Sequence, residues 1–459
     1  MSLVYDLGFL GGGQLARMSI MAAQRMGLTC ISLDPGENTP ASQIAPAMRG
    51  SLDDPEAVAH LFNAAARVTL ENEFIPAQTI KQALIIAGRD ESCLTPGILT
   101  LATIQDKYLQ REAYHRHGAP SPLAVPLEGD YSEAITKIGF PMVLKARFGG
   151  YDGKGTRYAR TPVEFQTHRG LIDQGNWMAE QFVPFSRELA VMVYRSKTET
   201  GTFPTMETVQ VNHVCDQVFP AGIDASAAAI AAVEAVQGYG LFGVELFETT
   251  TGNFLINEIA PRPHNTGHYT LDWGGVSQFE QHVRLAMGFP CALPTGADTC
   301  IVNILGIDDL KSDVLQRDGL VQTQFVKEEW ISSDTDGIRH PREEPAPGLN
   351  RGGDPVQEST NLHNATVPDP IEQGGVEVQS SDYDWLSQET LEAAATKALL
   401  KARQELFASH PQAHLHWYGK TESRPGRKMG HINVSGPDCR NKAITARNSF
   451  IESWQESLR

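Results

Sequence analysis

Pro141-Met-Val-Leu-Lys-Ala-Arg-Phe-Gly-Gly-Tyr-Asp-Gly-Lys-Gly-Thr156 is the stretch from which the rest of the chain is read. Residues 142–144 form a short apolar run with strand character, and the run ends in Lys145. Gly149, Gly150, Gly153 and Gly155 follow closely. Glycine reaches dihedrals closed to other residues, so such a loop can lay its backbone over a phosphate. Lys145 and Lys154 bring positive charge to the same place. The loop is not a Walker A motif, which ends in Gly-Lys-Ser/Thr and opens a helix. The segment therefore predicts a nucleotide site made of a lysine-bearing strand and a glycine-rich flap.

Composition bounds what surrounds that site. A chain of 459 residues holds about two to four domains. Its net charge of −17 leaves no global basic footprint for nucleic acid, although a local basic pocket is sufficient for an anionic substrate. Cys30, Cys93, Cys215, Cys291, Cys300 and Cys439 are scattered and form no C-x-x-C pair. This spacing predicts a reduced, cytoplasmic chain without a disulfide framework or zinc ribbon. No apolar run approaches membrane-spanning length, and the start lacks a secretory signal pattern.

The first hundred residues alternate strand and helix. Strands are predicted at 3–10, 28–33 and 68–70. A helix opens at Gly11-Gly-Gly-Gln-Leu-Ala16 with Leu15, Met18, Ala22 and Met26 on one face, and a second runs through Ala66 behind Asp54-Pro55 as N-cap and first turn. The pattern is βαβαβ, hence a parallel sheet flanked by helices. Further on, helices are predicted at 105–117, ending at Gly118, at 225–239 and at 387–408. Residues 332–384, rich in Pro, Gly, Ser, Asp and Glu, have the composition of disorder or of an elaborated surface loop.

Four constellations carry chemistry. Gly11-x-Gly13-x-x-Ala16, with Asp34 closing the second strand, matches the dinucleotide fingerprint by spacing and on its own suggests a nicotinamide-dependent oxidoreductase. Many doubly wound domains use the same turn for other ligands. Strands 242–247 and 254–259 flank Thr249-Thr-Thr-Gly-Asn253 as an antiparallel hairpin. If paired residue numbers sum to 503, Thr250 faces Asn253 and Glu245 faces Glu258. Like charges directly opposite destabilise a sheet unless something positive lies between them, and Mg²⁺ takes oxygen ligands of this kind together with nucleotide phosphates. Arg262 and His264 follow the second carboxylate and suit an anionic substrate. Lys420, Arg424, Arg427 and Lys428 form a basic cluster suited to a phosphate, Arg offering a fork and Lys a point charge. The bland alternatives are solvated glutamates, loop polar groups and a solvated basic turn.

Taken together, the lysine strand, glycine flap and paired carboxylates resemble the ATP-grasp superfamily. Gly11-Gly-Gly-Gln-Leu-Ala-Arg-Met18, Gly149-Gly-Tyr-Asp-Gly-Lys-Gly155, Asn257-Glu-Ile-Ala-Pro-Arg-Pro-His-Asn265, His416-Trp-Tyr-Gly-Lys420 and Arg424-Pro-Gly-Arg-Lys-Met-Gly-His431 resemble, within it, the N5-carboxyaminoimidazole ribonucleotide synthetase family. The resemblance implies a mixed α/β ATP-grasp fold: a Rossmann-like parallel-sheet domain at 1–104, the ATP-grasp domain at 105–298, and a small β-rich C-terminal domain at 299–459 carrying the insertion. It implies ATP- and bicarbonate-dependent carboxylation of aminoimidazole ribonucleotide in purine biosynthesis, with Mg²⁺ or Mn²⁺ as cofactor. It also implies a homodimer and handover of the product to a mutase.

The resemblance assigns roles residue by residue. Lys107 and Lys145 would hold the phosphates beneath a flap of Gly150, Tyr151, Asp152, Gly153, Lys154, Gly155 and Thr156. Glu180, Gln181, Phe182 and Val183 would meet the adenine, Glu188 the ribose, and Gln210, Asn257 and Glu258 would complete the ATP site. Glu245 and Glu258 would bind the metal. Glu73, Tyr151, Asp152, Lys154, Arg262, His264, Lys420 and Arg427 would surround the second substrate, with Asp152, Arg262 and Lys420 as catalytic residues. Lys107 stands where many relatives carry arginine, keeping the charge without the fork. Another ATP-grasp ligase or carboxylase would share the hairpin but not the 424–431 segment.

Overall fold

The computed structural model describes residues 4–150, 155–307, 388–420 and 423–458. Flap residues Tyr151, Asp152, Gly153 and Lys154 and the 332–384 insertion lie outside the described residues.

The N-terminal sheet is parallel. Its strands β1 (Tyr5–Leu10), β2 (Cys30–Asp34), β3 (Ala47–Arg49), β4 (Ala65–Leu70) and β5 (Leu94–Thr95) lie in the order β3-β2-β1-β4-β5. Helix α1 (Gln14–Arg25) buries two faces rather than the one predicted. Ala16, Ile20 and Ala23 pack with Leu7 and Phe9, while Leu15 and Met18 meet Phe279 and Tyr418 from distant parts of the chain. Helix α2 (Pro55–Ala64) is capped by Asp54, whose side chain accepts from the Glu56 amide at 3.0 Å. It stops short of Ala66 because Ala65 and Arg67 pair with β1, where sheet hydrogen bonds replace another half-turn of helix. Helices α3 (Ala77–Ala87) and α4 (Ile98–Gln105) complete this domain.

Helix α5 (Lys107–His117) begins at Lys107 because the Asp106 side chain accepts from the Tyr108 and Leu109 amides, and it ends at Gly118 in the left-handed region (φ 70°). Gln105, predicted to lie in this helix, closes α4 instead. Four antiparallel strands follow, β6 (Ala124–Pro126), β7 (Met142–Ala146), β8 (Thr156–Ala159) and β9 (Trp177–Gln181), in the order β6-β9-β7-β8.

The largest sheet contains β10 (Phe185–Arg195), β11 (Thr200–Thr202), β12 (Met206–Val211), β13 (Val214–Pro220), β14 (Gly240–Thr249), β15 (Phe254–Ala260), β16 (Thr299–Leu305), β17 (His414–Trp417) and β18 (Lys428–Ser435). Its order is β15-β14-β10-β12-β13-β16-β18-β17, with β11 on the flank of β10. The sheet crosses residue 299 through the pairs Gln217↔Val302 and Val218↔Ile301. Helix α6 (Ser226–Ala235) lays alanines against β10 and β14, burying Ala229, Ala232 and Val233 with Val191 and Phe242. It ends before the predicted 239, and Gln237 takes a positive φ of 51° just beyond. Helix α7 (Gln278–Met287) packs on α1, and helices α8 (Gln388–Ser409) and α9 (Cys439–Leu458) cover the β16–β18 region with Ala402, Leu406, Ala443 and Phe450.

One expectation is overturned here. Cys300 on β16 and Cys439 at the start of α9 form a disulfide, with Cα atoms 5.5 Å apart. Their separation of 139 residues hides the pairing from any spacing rule. Cys30, Cys93, Cys215 and Cys291 are free thiols.

Candidate active site

A cavity of about 910 Å³ is lined by residues from β7, β9, β10, β14, β15, the start of α1 and the segment after β4. Its character is set by the β14–β15 hairpin. Glu245 pairs with Glu258, as the sum of 503 predicts. Toward the turn the register slips by one, Leu246 pairing with Ile256, and the Thr249 amide rather than Thr250 meets Asn253. The slip is a β-bulge at Asn257. A bulge turns an extra side chain out of the strict alternation. Asn257 and Glu258 thereby both line the cavity, although they are sequence neighbours.

Electrostatics separate the two glutamates. Burial, Glu258 and Glu188 together push the Glu245 carboxyl up to about 8. Burial acts on Glu258 in the same direction, but Lys107, with its Nζ 2.8 Å from Glu258 Oε1, holds it below the ordinary carboxylate range. The His264 ring lies 3.6 Å from Glu245 yet forms no ion pair at neutral pH. Burial, Arg262 and Lys428 drive His264 down to about 3, so both partners are neutral. Two facing acids, one of them held largely protonated at neutral pH, fit a hard divalent cation that draws charge onto oxygen donors. Among the described residues no group of three or more His, Cys, Asp or Glu closes a metal cage.

Cations border this pair. Lys145 Nζ lies 2.6 Å from Glu180 Oε1 and donates to Asn257 Oδ1 at 3.1 Å. Glu180 is buried, and its other oxygen accepts from Arg111 Nε at 2.7 Å. Burial works against its charge, but Arg111 and Lys145 keep its carboxyl below the ordinary range. Sequence reasoning missed Arg111. The only available signal was its position four residues after Lys107, on the same helix face. Gln181, Phe182 and Val183 line the cavity beyond Glu180. Phe185 stacks on Phe247 with centroids 4.6 Å apart, and both line the cavity. Glu188 and Gln210 line the same end, where burial raises the Glu188 carboxyl and the Gln210 side chain opposes the shift. Gly150 and Thr156, either side of the flap, line the cavity, whereas Gly155 (φ 80°) does not.

The other end is built on Arg262. Its guanidinium meets Glu73 through two hydrogen bonds, Nε to Oε2 and NH2 to Oε1. Burial opposes its charge and Glu73 restores it. Lys428 lines this end, but Lys420 and Arg427 do not. Lys420 Nζ donates to the Lys428 carbonyl at 2.7 Å. The turn before it is held from the N-terminal domain: Arg17 donates to Gln43 Oε1 at 2.7 Å, and Gln43 Nε2 donates to the Gly419 carbonyl at 2.8 Å.

The dinucleotide expectation does not survive. Glu71 fills the first glycine loop: a Cβ on Gly13 would meet Glu71 Oε1 at 2.3 Å, and one on Gly11 would meet Glu71 Cβ at 2.8 Å. The Asp34 carboxylate accepts from the Gly12 amide at 2.8 Å. The space and the amide that a pyrophosphate uses in that fingerprint are taken by carboxylates of the chain itself.

The ribonucleotide synthetase preATP-grasp domain family matches residues 4–103, the ATP-grasp domain family residues 113–279, and the phosphoribosylaminoimidazole carboxylase C-terminal domain family residues 387–444. The N5-carboxyaminoimidazole ribonucleotide synthase of Synechococcus elongatus is 33% identical over 467 residues, covering 98% of this chain and 95% of that protein. The phosphoribosylaminoimidazole carboxylase of Ogataea methanolica is 36% identical over 323 residues, but the match spans only 59% of that longer protein. A crystal structure of an N5-carboxyaminoimidazole ribonucleotide synthetase in complex with ADP is similar with a TM-score of 0.71 and 27% identity, covering 100% of this chain and 99% of the other.

Proposed function

The chain belongs to the N5-carboxyaminoimidazole ribonucleotide synthase family of ATP-grasp ligases, and we propose that it joins bicarbonate to the exocyclic amine of aminoimidazole ribonucleotide at the expense of ATP. One observation carries the reading: Glu245 faces Glu258 in a cavity bordered by Lys107 and Lys145 at one end and by Arg262 at the other. That arrangement suits a nucleotide triphosphate and a second anionic substrate meeting over one cation site.

Bicarbonate oxygen attacks the γ-phosphorus, and the bond to ADP breaks to leave carboxyphosphate. The amine nitrogen then attacks the carboxyl carbon, phosphate leaves, and the amine gives up a proton. Mg²⁺ held by Glu245 and Glu258 would supply charge neutralisation at the phosphates. Lys107 and Lys145 hold phosphate oxygens, and Phe185 and Phe247 support the adenine beside 180–183. Arg262, kept cationic by Glu73, orients the anionic reactant. Neutral His264 serves as a hydrogen-bonding group rather than a charge. Asp152 in the flap is assigned the amine proton, and Tyr151 and Lys154 the second substrate, on sequence alone. Lys420 and Arg427 complete the reading as phosphate contacts of the second substrate. The domain limits 1–104, 105–298 and 299–459, a homodimer, a cytoplasmic site of action and handover to a mutase belong to the same proposal. Among the described residues no helix is long and apolar enough to cross a membrane.

ADP release from ATP, Mg²⁺ and bicarbonate, with and without aminoimidazole ribonucleotide, tests the reading. Strong stimulation by the ribonucleotide is expected, and its absence would sink the proposal.

A further inference from the structure

Arg111 is almost completely buried, its side chain 4% exposed, in a wall whose other members face the cavity. It lies one helical turn after Lys107, so both side chains leave α5 on the same face. Its Nε donates to Glu180 Oε2 at 2.7 Å, and its NH2 donates to the Asn257 carbonyl at 2.5 Å. The remaining Glu180 oxygen and the Asn257 side chain both hold Lys145. Four groups from a helix and three strands thus close a ring: Arg111, Glu180, Lys145 and Asn257.

We infer that Arg111 is a positioning residue for the nucleotide, acting through Glu180 and through the bulge at Asn257. The argument is one of charge. Glu180 carries one negative charge and the two cations two positive ones, so the ring keeps one net positive charge, and Lys145 is its only cation that lines the cavity. Without Arg111, Glu180 and Lys145 would neutralise each other, and this ring would present no net charge to a phosphate. The second bond acts on geometry. It pins the backbone of the extra residue, whose side chain meets Lys145 and whose neighbour is Glu258. The inference rests on the reading that the cavity takes ATP.

The test measures binding of a non-hydrolysable ATP analogue with Mg²⁺ to the full chain by calorimetry, without bicarbonate or second substrate. Arg111→Met is expected to weaken binding about tenfold or more, while Arg111→Lys stays within about threefold of wild type because the charge survives. The double variant Arg111→Met/Glu180→Gln distinguishes positioning from packing. If Arg111 acts by balancing Glu180, the double variant binds more tightly than Arg111→Met alone. Packing alone predicts that the two losses add. Wild-type affinity in Arg111→Met, or a double variant no tighter than that single one, overturns the inference. Should Arg111→Met fail to fold, Glu180→Gln and the double variant carry the test. With the carboxylate gone, removing Arg111 is expected to cost less than about threefold, and a tenfold loss overturns the inference. A wild-type chain that binds no analogue at all overturns the functional reading beneath it.

Discussion

Glu245 shows how much a single carboxyl depends on its surroundings. An exposed glutamate ionises well below neutrality, but this one is raised to about 8 by burial and by the facing Glu258 and Glu188. The consequence for stability has a definite sign. Between the ordinary value of 4.5 and about 8, the folded metal-free protein holds a proton that the unfolded chain has released. Stability therefore falls as pH rises through that window. Glu245→Gln removes the titration while keeping the shape. Its melting temperature relative to wild type is expected to rise by about 3 °C or more from pH 5 to pH 8 in the absence of metal, as read by calorimetric scans. An offset that stays constant across that range would show that Glu245 ionises normally in the folded protein. His264 illustrates the opposite case, a histidine whose burial beside Arg262 and Lys428 removes the charge that its residue type suggests.

At the scale of elements, the join between α5 and β7 organises the cation wall. Asp106 caps the helix through the Tyr108 and Leu109 amides and also receives Arg147, Nε at 3.0 Å and NH2 at 2.6 Å, from the residue after β7. The Lys107 amide donates to the Arg147 carbonyl at 2.9 Å, so the first residue of the helix is tied to the segment that follows Lys145. The Asp106 side chain and this backbone bond together tie the start of α5, which carries Lys107 and Arg111, to the end of β7, which carries Lys145. Asp106→Ala removes the cap and leaves Arg147 without this partner, and it is expected to cost about 2–4 kcal/mol in denaturant unfolding. Asp106→Asn keeps an N-cap oxygen and should lose markedly less. Equal losses for the two variants would mean that the cap contributes nothing. The hairpin was readable at this scale from two apolar strands and a Thr-Thr-Gly-Asn turn. Its bulge was not, since nothing in the residues at 254–260 announces an extra residue, and only pairing with β14 creates it.

For the whole molecule, the large sheet carries the ATP-grasp strands and the C-terminal strands without a break, and the Cys300–Cys439 disulfide fastens α9 to that sheet. The bond closes a loop of 139 residues that contains α8, β17 and β18. Loop-closure entropy for that length corresponds to an upper figure on the order of 5 kcal/mol. Reduction is expected to lower the melting temperature measurably, and Cys439→Ala should melt alike with and without reductant. A wild-type melting point indifferent to reductant would show that the two thiols remain unpaired in solution.

Local pattern was enough for much of this protein. The parallel start, the cap at Asp54 and the hairpin follow from periodicity, turn chemistry and capping, all of which act over a few residues, whereas the bulge that keeps Glu245 opposite Glu258 does not. The glycine flap, the lysine strand and the C-terminal basic motif carried the family resemblance in the same way. What needed the tertiary structure were effects of distance and burial. Arg111 meets Glu180 and Asn257 only after three elements assemble, Glu71 fills the N-terminal glycine loop from the end of another strand, and Cys300 finds Cys439 across more than a hundred residues. The protonation of Glu245 and the neutrality of His264 belong to the same class. Desolvation is a property of the packed neighbourhood, and no residue carries it in the sequence.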